Sequence, residues 1–290
     1  MKEFNDAMTM PDRIEKTANG SILQHGKLNN RIYLMKLAVQ DTESIIPRMN
    51  QLADMQNYSK IFCKIPSSAY PLFLAEGYRM EGYIPAFYNG KEDAFFVSKF
   101  PNDQGRASVP VPRLQQLHRL LSDMATGNQQ AIDKASYTIR KLGQRDIPAM
   151  TRIYSDIFKS YPFPIYDPEY ISEMMDEHVQ YFGAFKDGKL AALSSSEIDR
   201  EAQNAEMTDF ATHTSHMGNK LSMLLLRHME HEMRQQGICT LYTIARLQSV
   251  PMNKTFIRTG FTYSGTLLNN TNIDGKTESM NLYYKRLGKI

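Results

Sequence analysis

The sequence predicts an α/β (α+β) fold, a mixed sheet flanked by helices, with an N-terminal half-domain that repeats part of the same plan. Three observations predict it. The first is Asn204–Gly237, which reads as a strand, a short polar turn with Gly218 and Asn219, and an amphipathic helix. In that helix Leu221, Leu224, Leu225, Met229 and Met233 recur at helical spacing, and Gly237 supplies the stop. The second is the order that follows: an apolar strand at Ile238–Ala245, a short helix near Met252–Thr259, Gly260-Phe261, and strands near Thr262–Asn269 and Thr277–Arg286. The third is internal repetition. Phe73-x-x-x-Gly77-Tyr78-x-x-x-Gly82 matches Phe256-x-x-x-Gly260-Phe261-x-x-x-Gly265, and a hairpin with a closing strand follows each.

Residues 1–30 are polar, with Asn19-Gly20 and His25-Gly26 as turn signals, and suit a hairpin or an arm. Strands are expected at Arg31–Leu37, Lys60–Ile65, Met80–Tyr88 and Ala94–Lys99, and helices at Thr42–Gln56 and Tyr70–Glu76. Pro47 is tolerable in a first helical turn. A proline-bearing connection follows, with Leu114, Leu117, Leu120 and Leu121 on one side of a helix at Arg113–Met124 and a short helix after Gly127-Asn128. From Tyr137 the order is strand, helix (Asp146–Lys159), helix (Pro168–Asp176), strand (Val179–Lys186), a hairpin at Asp187-Gly188, and strand (Lys189–Asp199). The chain therefore divides into residues 1–100, a helical connection at 101–136, and a larger domain at 137–290.

Charge and composition exclude several classes. Thirty-four basic and 31 acidic residues give a net +3 with no basic tract, so nucleic-acid binding is not expected. Cys63 and Cys239 lie in apolar runs without metal spacing, as buried thiols of a reducing cytoplasm do. No apolar run reaches membrane-spanning length. His228 and His231 sit on a charged helix face, and His213 and His216 flank the turn, so no metal site is expected.

A strand that turns sharply into a helix offers unpaired N–H groups and a positive dipole end, which suits a pyrophosphate. With an acidic residue on the first strand and Gly-Phe after the second helix, the order from Tyr137 to Ile290 resembles the GCN5-related N-acetyltransferase (GNAT) family. SYPFPIYDPEYI, AALSSSEID, NAEMTDFAT, YTIAR and LLNNTNIDGKTESMNLYYK are similar to its β-lysine N6-acetyltransferase branch. The family's turn reads Gln/Arg-x-x-Gly-x-Gly/Ala. Here Met217-Gly218-Asn219-Lys220-Leu221-Ser222 stands in its place, with Lys220 at the central glycine. In the N-terminal repeat, Ala38–Glu43 has no glycine and carries Asp41 and Glu43, which repel a pyrophosphate. That half is expected to be structural or to shape the substrate entrance.

The resemblance implies acetyl-CoA as co-substrate, with Met217–Ser222 on its pyrophosphate and Phe210, Ala211 and Thr212 along its pantetheine arm. Asn253 is a further candidate for the cofactor, or else a helix cap. Glu206 occupies the strand position of the family's catalytic base. Asp209 shares its face only if a bulge intervenes, as it does in the family. Phe256 stands where the family often has a tyrosine acid, and Tyr242 and Tyr263 are the alternatives. For a diamino acid, Arg246 is the candidate carboxylate partner, Asn269, Asn270 and Asn272 the head-group ligands, and Glu278 the ammonium partner. Tyr161, Phe163 and Tyr166 are candidates to wall the aliphatic stem, unless they are core. The implied reaction is acetylation of the side-chain amine of β-lysine, giving a compatible solute, by a cytoplasmic protein for which a homodimer is allowed. Another small amine or polyamine as acceptor, or a non-catalytic acetyl-CoA-binding role, stays open.

Overall fold

The computed structural model describes residues 12–101, 104–125, 136–159 and 161–288. The N-terminal hairpin is β1 (Arg13–Lys16) and β2 (Ile22–Gly26). After it come β3 (Arg31–Lys36), α1 (Ile45–Gln56), β4 (Lys60–Pro66), α2 (Tyr70–Ala75), β5 (Arg79–Tyr88) and β6 (Glu92–Lys99). The connection holds α3 (Val111–Ala125); the short helix expected after Gly127-Asn128 lies outside the described residues. Then follow β7 (Thr138–Lys141), α4 (Ile147–Ile157), α5 (Pro168–Glu177), β8 (Val179–Lys186), β9 (Lys189–Asp199) and β10 (Asn204–Thr212). The chain closes with α6 (Leu221–Gln235), β11 (Thr240–Arg246), α7 (Val250–Arg258), β12 (Thr262–Ile273) and β13 (Lys276–Arg286). Among the described residues no helix is long and apolar enough to cross a membrane.

All thirteen strands form one sheet, ordered β1-β2-β3-β4-β6-β5-β12-β13-β11-β10-β9-β8-β7. The order is palindromic in kind. β3 runs parallel to β4 as β10 runs parallel to β11, and antiparallel β4–β6–β5 mirrors β11–β13–β12. The mirror passes through one residue pair, Gly82 opposite Gly265, the last glycines of the two repeated motifs. Both are glycine for a reason of space. A Cβ on Gly265 would lie 2.1 Å from the Glu81 carbonyl oxygen, and one on Gly82 would lie 2.7 Å from Leu282.

Each half also sends a bulge across the joint. In β12 the register slips between Leu267 and Thr271, and the looped-out segment is held by the other half. Lys60 donates to the Leu268 carbonyl (2.7 Å), the Leu268 N–H donates to Glu81 (3.0 Å), and Arg106 donates to the Asn269 carbonyl (3.0 Å). In β5 the slip falls between Ile84 and Tyr88; the Asn89 N–H reaches the Ala202 carbonyl (2.7 Å), and Thr240 donates to the Ala86 carbonyl (3.2 Å). Helix α6 packs Leu221, Leu225, Met229 and Met233 onto Ala191, Ala205, Met207 and Leu241 of the sheet, which fixes the strand–turn–helix segment.

Candidate active site

β10 and β11 pair in parallel only from Asn204–Glu206 with Thr240–Tyr242, and then part. What drives β10 away is a bulge between Thr208 and Ala211, where Asp209 takes a left-handed conformation (φ 54°). The extra residue reverses the alternation, so Glu206 and Asp209 line the same cavity. That cavity, about 260 Å³, lies between the diverging strands and reaches the N-terminal half, where Arg31, Tyr33 and Phe62 form its wall.

Three carboxylates meet there. Glu206 stands opposite Glu197 in the β10–β9 register, and Asp209 is the third. Burial and the neighbouring Glu206 charge push Glu197 up to about 8. Glu206 is also raised, by burial, but the Lys64 ammonium and a hydrogen bond from Tyr242 oppose the shift. Lys64 and Tyr242 thus favour the charged form of Glu206 against the burial that opposes it. Lys64 donates to the Tyr242 hydroxyl (2.9 Å), and Tyr242 in turn bonds Glu206, a relay that starts in the N-terminal half. Asp209 is raised by burial, yet both its oxygens are engaged: Tyr161 donates to one and Ser195 to the other, each at 2.5 Å.

The turn beyond β10 suits an anion. Gly218 (φ 84°) has open space where a side chain would stand, and α6 begins with no side-chain cap at Lys220. Lys220 adopts φ 57°, ψ 28°, the left-handed conformation that the glycine of such turns supplies. A fifteen-residue helix thus begins without a side-chain cap, at the end whose dipole favours an anion.

Comparison with known proteins decides the family. A model of the acetyltransferase (GNAT) family matches residues 147–261. The chain is 37% identical over 267 residues to a "Beta-lysine N(6)-acetyltransferase" of Methanococcus maripaludis, covering 92% of this chain and 96% of that one. It is 30% identical over 265 residues to a protein of the same description from Methanosarcina mazei (84% and 97% covered). Against "N-acetyltransferase YodP" of Bacillus subtilis it is 26% identical over 274 residues (94% and 98%). The chain belongs to the GNAT acetyltransferase family. It is an acetyl-CoA-dependent N-acetyltransferase, and acetyl-CoA is its co-substrate.

Within this GNAT site several expected residues come together and others do not. Glu206, Asp209, Tyr161, Phe163, Phe210, Arg246 and Asn270 all line the cavity. Ala211 is buried behind it, and Met217 is exposed in the turn. Asn253 is not available to a cofactor. Its amide donates to the Arg246 and Ser249 carbonyls (3.0 and 2.8 Å) and accepts from Asn281 and Tyr283 (2.8 and 2.7 Å), so it fixes the β11–α7 junction. Arg246 does meet a carboxylate, but it is Glu278, bound through two nitrogens at 2.9 and 2.7 Å. That pairing takes Glu278 off the candidate substrate ligands.

The asparagine run also divides. Asn269 donates to the Arg106 carbonyl (2.9 Å), and the Asn272 side chain accepts from Gly275 N–H in the β12–β13 turn (3.0 Å); neither lines the cavity. Tyr166 donates to the Phe158 carbonyl (3.0 Å) and packs in the α4–α5 core instead of the cavity wall. Tyr263 is tied to Thr266 (2.7 Å). Among the described residues no group of three or more His, Cys, Asp or Glu side chains is placed to hold a metal ion, and His216 is bonded to Tyr137 (3.1 Å). Sequence reasoning missed Glu197, Lys64, Arg31 and Gln24. Glu197 alone carried a local signal, an acid in the apolar strand AALSSSEID beside β10.

Proposed function

We propose that the chain transfers the acetyl group of acetyl-CoA to the side-chain amine of β-lysine, giving Nε-acetyl-β-lysine. The observation that carries this reading is the carboxylate cluster at the point where β10 and β11 part, which attracts an ammonium group to where the acyl arm ends. The two archaeal relatives bear that activity in their descriptions, and the chain spans 96% and 97% of their lengths.

The thioester supplies an activated acyl carbon and a leaving thiolate. Met217–Ser222, with the N-terminus of α6, holds the pyrophosphate, and Phe210–Thr212 lie along the pantetheine arm. Glu206 takes the proton from the acceptor ammonium, directly or through a water. Its burial raises its proton affinity while Lys64 and Tyr242 favour its charged form. As the amine nitrogen bonds to the carbonyl carbon, the C–S bond breaks. Backbone N–H groups beyond the bulge, near Ala211, polarise the carbonyl oxygen. Phe256 lies where a tyrosine acid would stand, so the sulfur departs as thiolate; a thiol pKa of about 8.5 permits that.

We take residues 1–100, 101–136 and 137–290 as the organisational units, with the last carrying the acetyl-CoA site. The protein acts in the cytoplasm, with or without homodimerisation, and its product serves as a compatible solute. Mass spectrometry of the product from β-lysine and acetyl-CoA tests the reaction. A single added acetyl group on the terminal amine is expected; acetylation of spermidine but not β-lysine would replace the reading with a polyamine one.

A further inference from the structure

Three buried polar side chains of the cavity wall converge: Gln24 from β2, Arg31 from β3 and Asn270 from the β12 bulge. Their exposures are 1%, 4% and 1%. Each keeps one polar atom without a hydrogen-bond partner among the described residues: Gln24 Nε2, Arg31 Nε and Asn270 Oδ1. The rest of the Arg31 guanidinium is held in place. Nη1 donates to the Asn270 carbonyl and to Thr271 Oγ1 (3.2 Å), and Nη2 to Gln24 Oε1 (3.4 Å). Yet every one of those acceptors is neutral. No carboxylate lies in ion-pair range of Arg31 among the described residues, and Asp12, the nearest acid to influence it, directs its oxygens to Asn29 (2.6 and 3.4 Å). The guanidinium lies over the Tyr33 and Phe62 rings (5.4 and 5.9 Å), but a buried cation with no ion-pair partner and an unpaired Nε is costly unless an anion joins it.

We propose that Gln24, Arg31 and Asn270 form the subsite for the head of the acceptor, an amino acid bearing both carboxylate and ammonium, so that the N-terminal half selects the substrate. This rests on the acetyl-transfer reading above. Arg31 Nε and Gln24 Nε2 are donors and take the carboxylate. Asn270 Oδ1 is an acceptor and takes the neighbouring ammonium of the head. Glu197, Glu206 and Asp209 line the same cavity and take the side-chain ammonium. A cavity lined by both a guanidinium and carboxylates fits a zwitterion with a second amine, and a polyamine leaves the guanidinium without an anion. Cooperation of these three residues across the joint also explains why the β12 bulge is anchored so heavily: it sets where Asn270 stands.

The test compares two acceptors, β-lysine and the diamine left when its carboxylate is removed, by kcat/KM with wild type, Arg31→Met and Gln24→Leu. Wild type should prefer the acid by roughly a hundredfold or more. Arg31→Met should lose about that factor on the acid, mainly through KM, while its rate on the diamine stays within about threefold. Gln24→Leu should show the same pattern at roughly tenfold. Equal losses on both acceptors, or no loss on the acid, overturn the subsite. If Arg31→Met does not fold, Gln24→Leu and the methyl ester of β-lysine on wild type decide it: an ester used as well as the acid overturns the subsite. Failure of the β-lysine reading looks different, since wild type would then prefer another amine. A preferred amine no better than its own decarboxylated partner would overturn the subsite as well.

Discussion

The two halves of this molecule share a strand plan and differ at one turn. In the C-terminal half, β10 bulges at Asp209, and the chain then passes through Gly218 to an uncapped α6. In the N-terminal half, β3 also slips, against β2 between Leu34 and Lys36, and pairs with β4 from Arg31–Leu34 to Lys60–Cys63. The turn after it carries Asp41, which is buried and accepts hydrogen bonds from Thr17 (2.5 Å) and Asn19 (2.7 Å). A carboxylate of the chain itself thus sits at the turn that corresponds to the pyrophosphate turn. The comparison teaches that what separates the halves is the turn: one begins its helix at Gly218 and an uncapped Lys220, the other fills the corresponding place with its own carboxylate. The N-terminal half instead brings side chains to the joint: Lys64 to the Tyr242 hydroxyl, and Arg31 and Gln24 to the cavity wall.

The largest effect should come from breaking the active half. Glu206→Gln removes the proton acceptor and leaves the turn intact, so kcat should fall roughly 10²–10⁴-fold. Calorimetry should show acetyl-CoA affinity unchanged. A parallel loss of affinity would argue that Glu206 organises the strand gap instead of accepting a proton.

Breaking the joint comes next. Gly265→Val places a side chain where the Glu81 carbonyl oxygen already stands, at a φ of 150° that a β-branched residue resists. Loss of about 3 kcal/mol or more of stability is expected, read as a lower melting temperature. Activity of the surviving folded protein should fall too, because Lys64 and Arg31 would shift relative to Glu206. A variant that melts like wild type would mean the halves tolerate a wider separation at the Gly82–Gly265 pair.

The inert turn can be tested alone. Hydrogen bonds from Ser21 and Thr17 hold Asp41 down to about 2 from its ordinary 3.8. A lowered carboxylate adds stability that is in place above the unfolded value of 3.8 and is lost as pH falls through about 2. Asp41→Asn should therefore cost about 1–2 kcal/mol at neutral pH, and the gap to wild type should narrow as thermal melts are taken below pH 4. Acetyl-CoA affinity should not move, since this half does not carry the coenzyme.

The element order was legible because each step rests on local chemistry. Period-3.6 apolar spacing marked α6, and the two Phe-x-x-x-Gly motifs marked the repeat. Glu206 and the turn at Met217–Ser222 were legible through family resemblance, and the bulge at Asp209 was anticipated with them. The remainder of the site was not local. Arg31 and Lys64 read as ordinary strand cations until the halves meet at Gly82 and Gly265. The asparagine run divides for the same reason: polarity alone does not separate a cavity-wall residue (Asn270) from a clasp on the connection (Asn269) or a turn (Asn272). Arg246 and Glu278, 32 positions apart, pair because β11 and β13 are neighbours, a fact no spacing rule contains.

The smallest effect is expected at Lys220, where the chain departs from its family's glycine. The residue already holds the left-handed conformation that glycine would supply, at a strain of roughly 1–2 kcal/mol. Lys220→Gly relieves that strain but adds unfolded-state entropy worth about 0.4–1 kcal/mol in the opposite direction. The two nearly cancel, so the melting temperature should stay within about 2 °C of wild type. Acetyl-CoA affinity should fall only a few-fold, the share of one ammonium near a phosphate, and more steeply in low salt than in high. An unchanged affinity at low salt would show that the turn's backbone alone holds the pyrophosphate. A hundredfold loss would show that this lysine has taken over the grip that the family assigns to glycine-exposed amides.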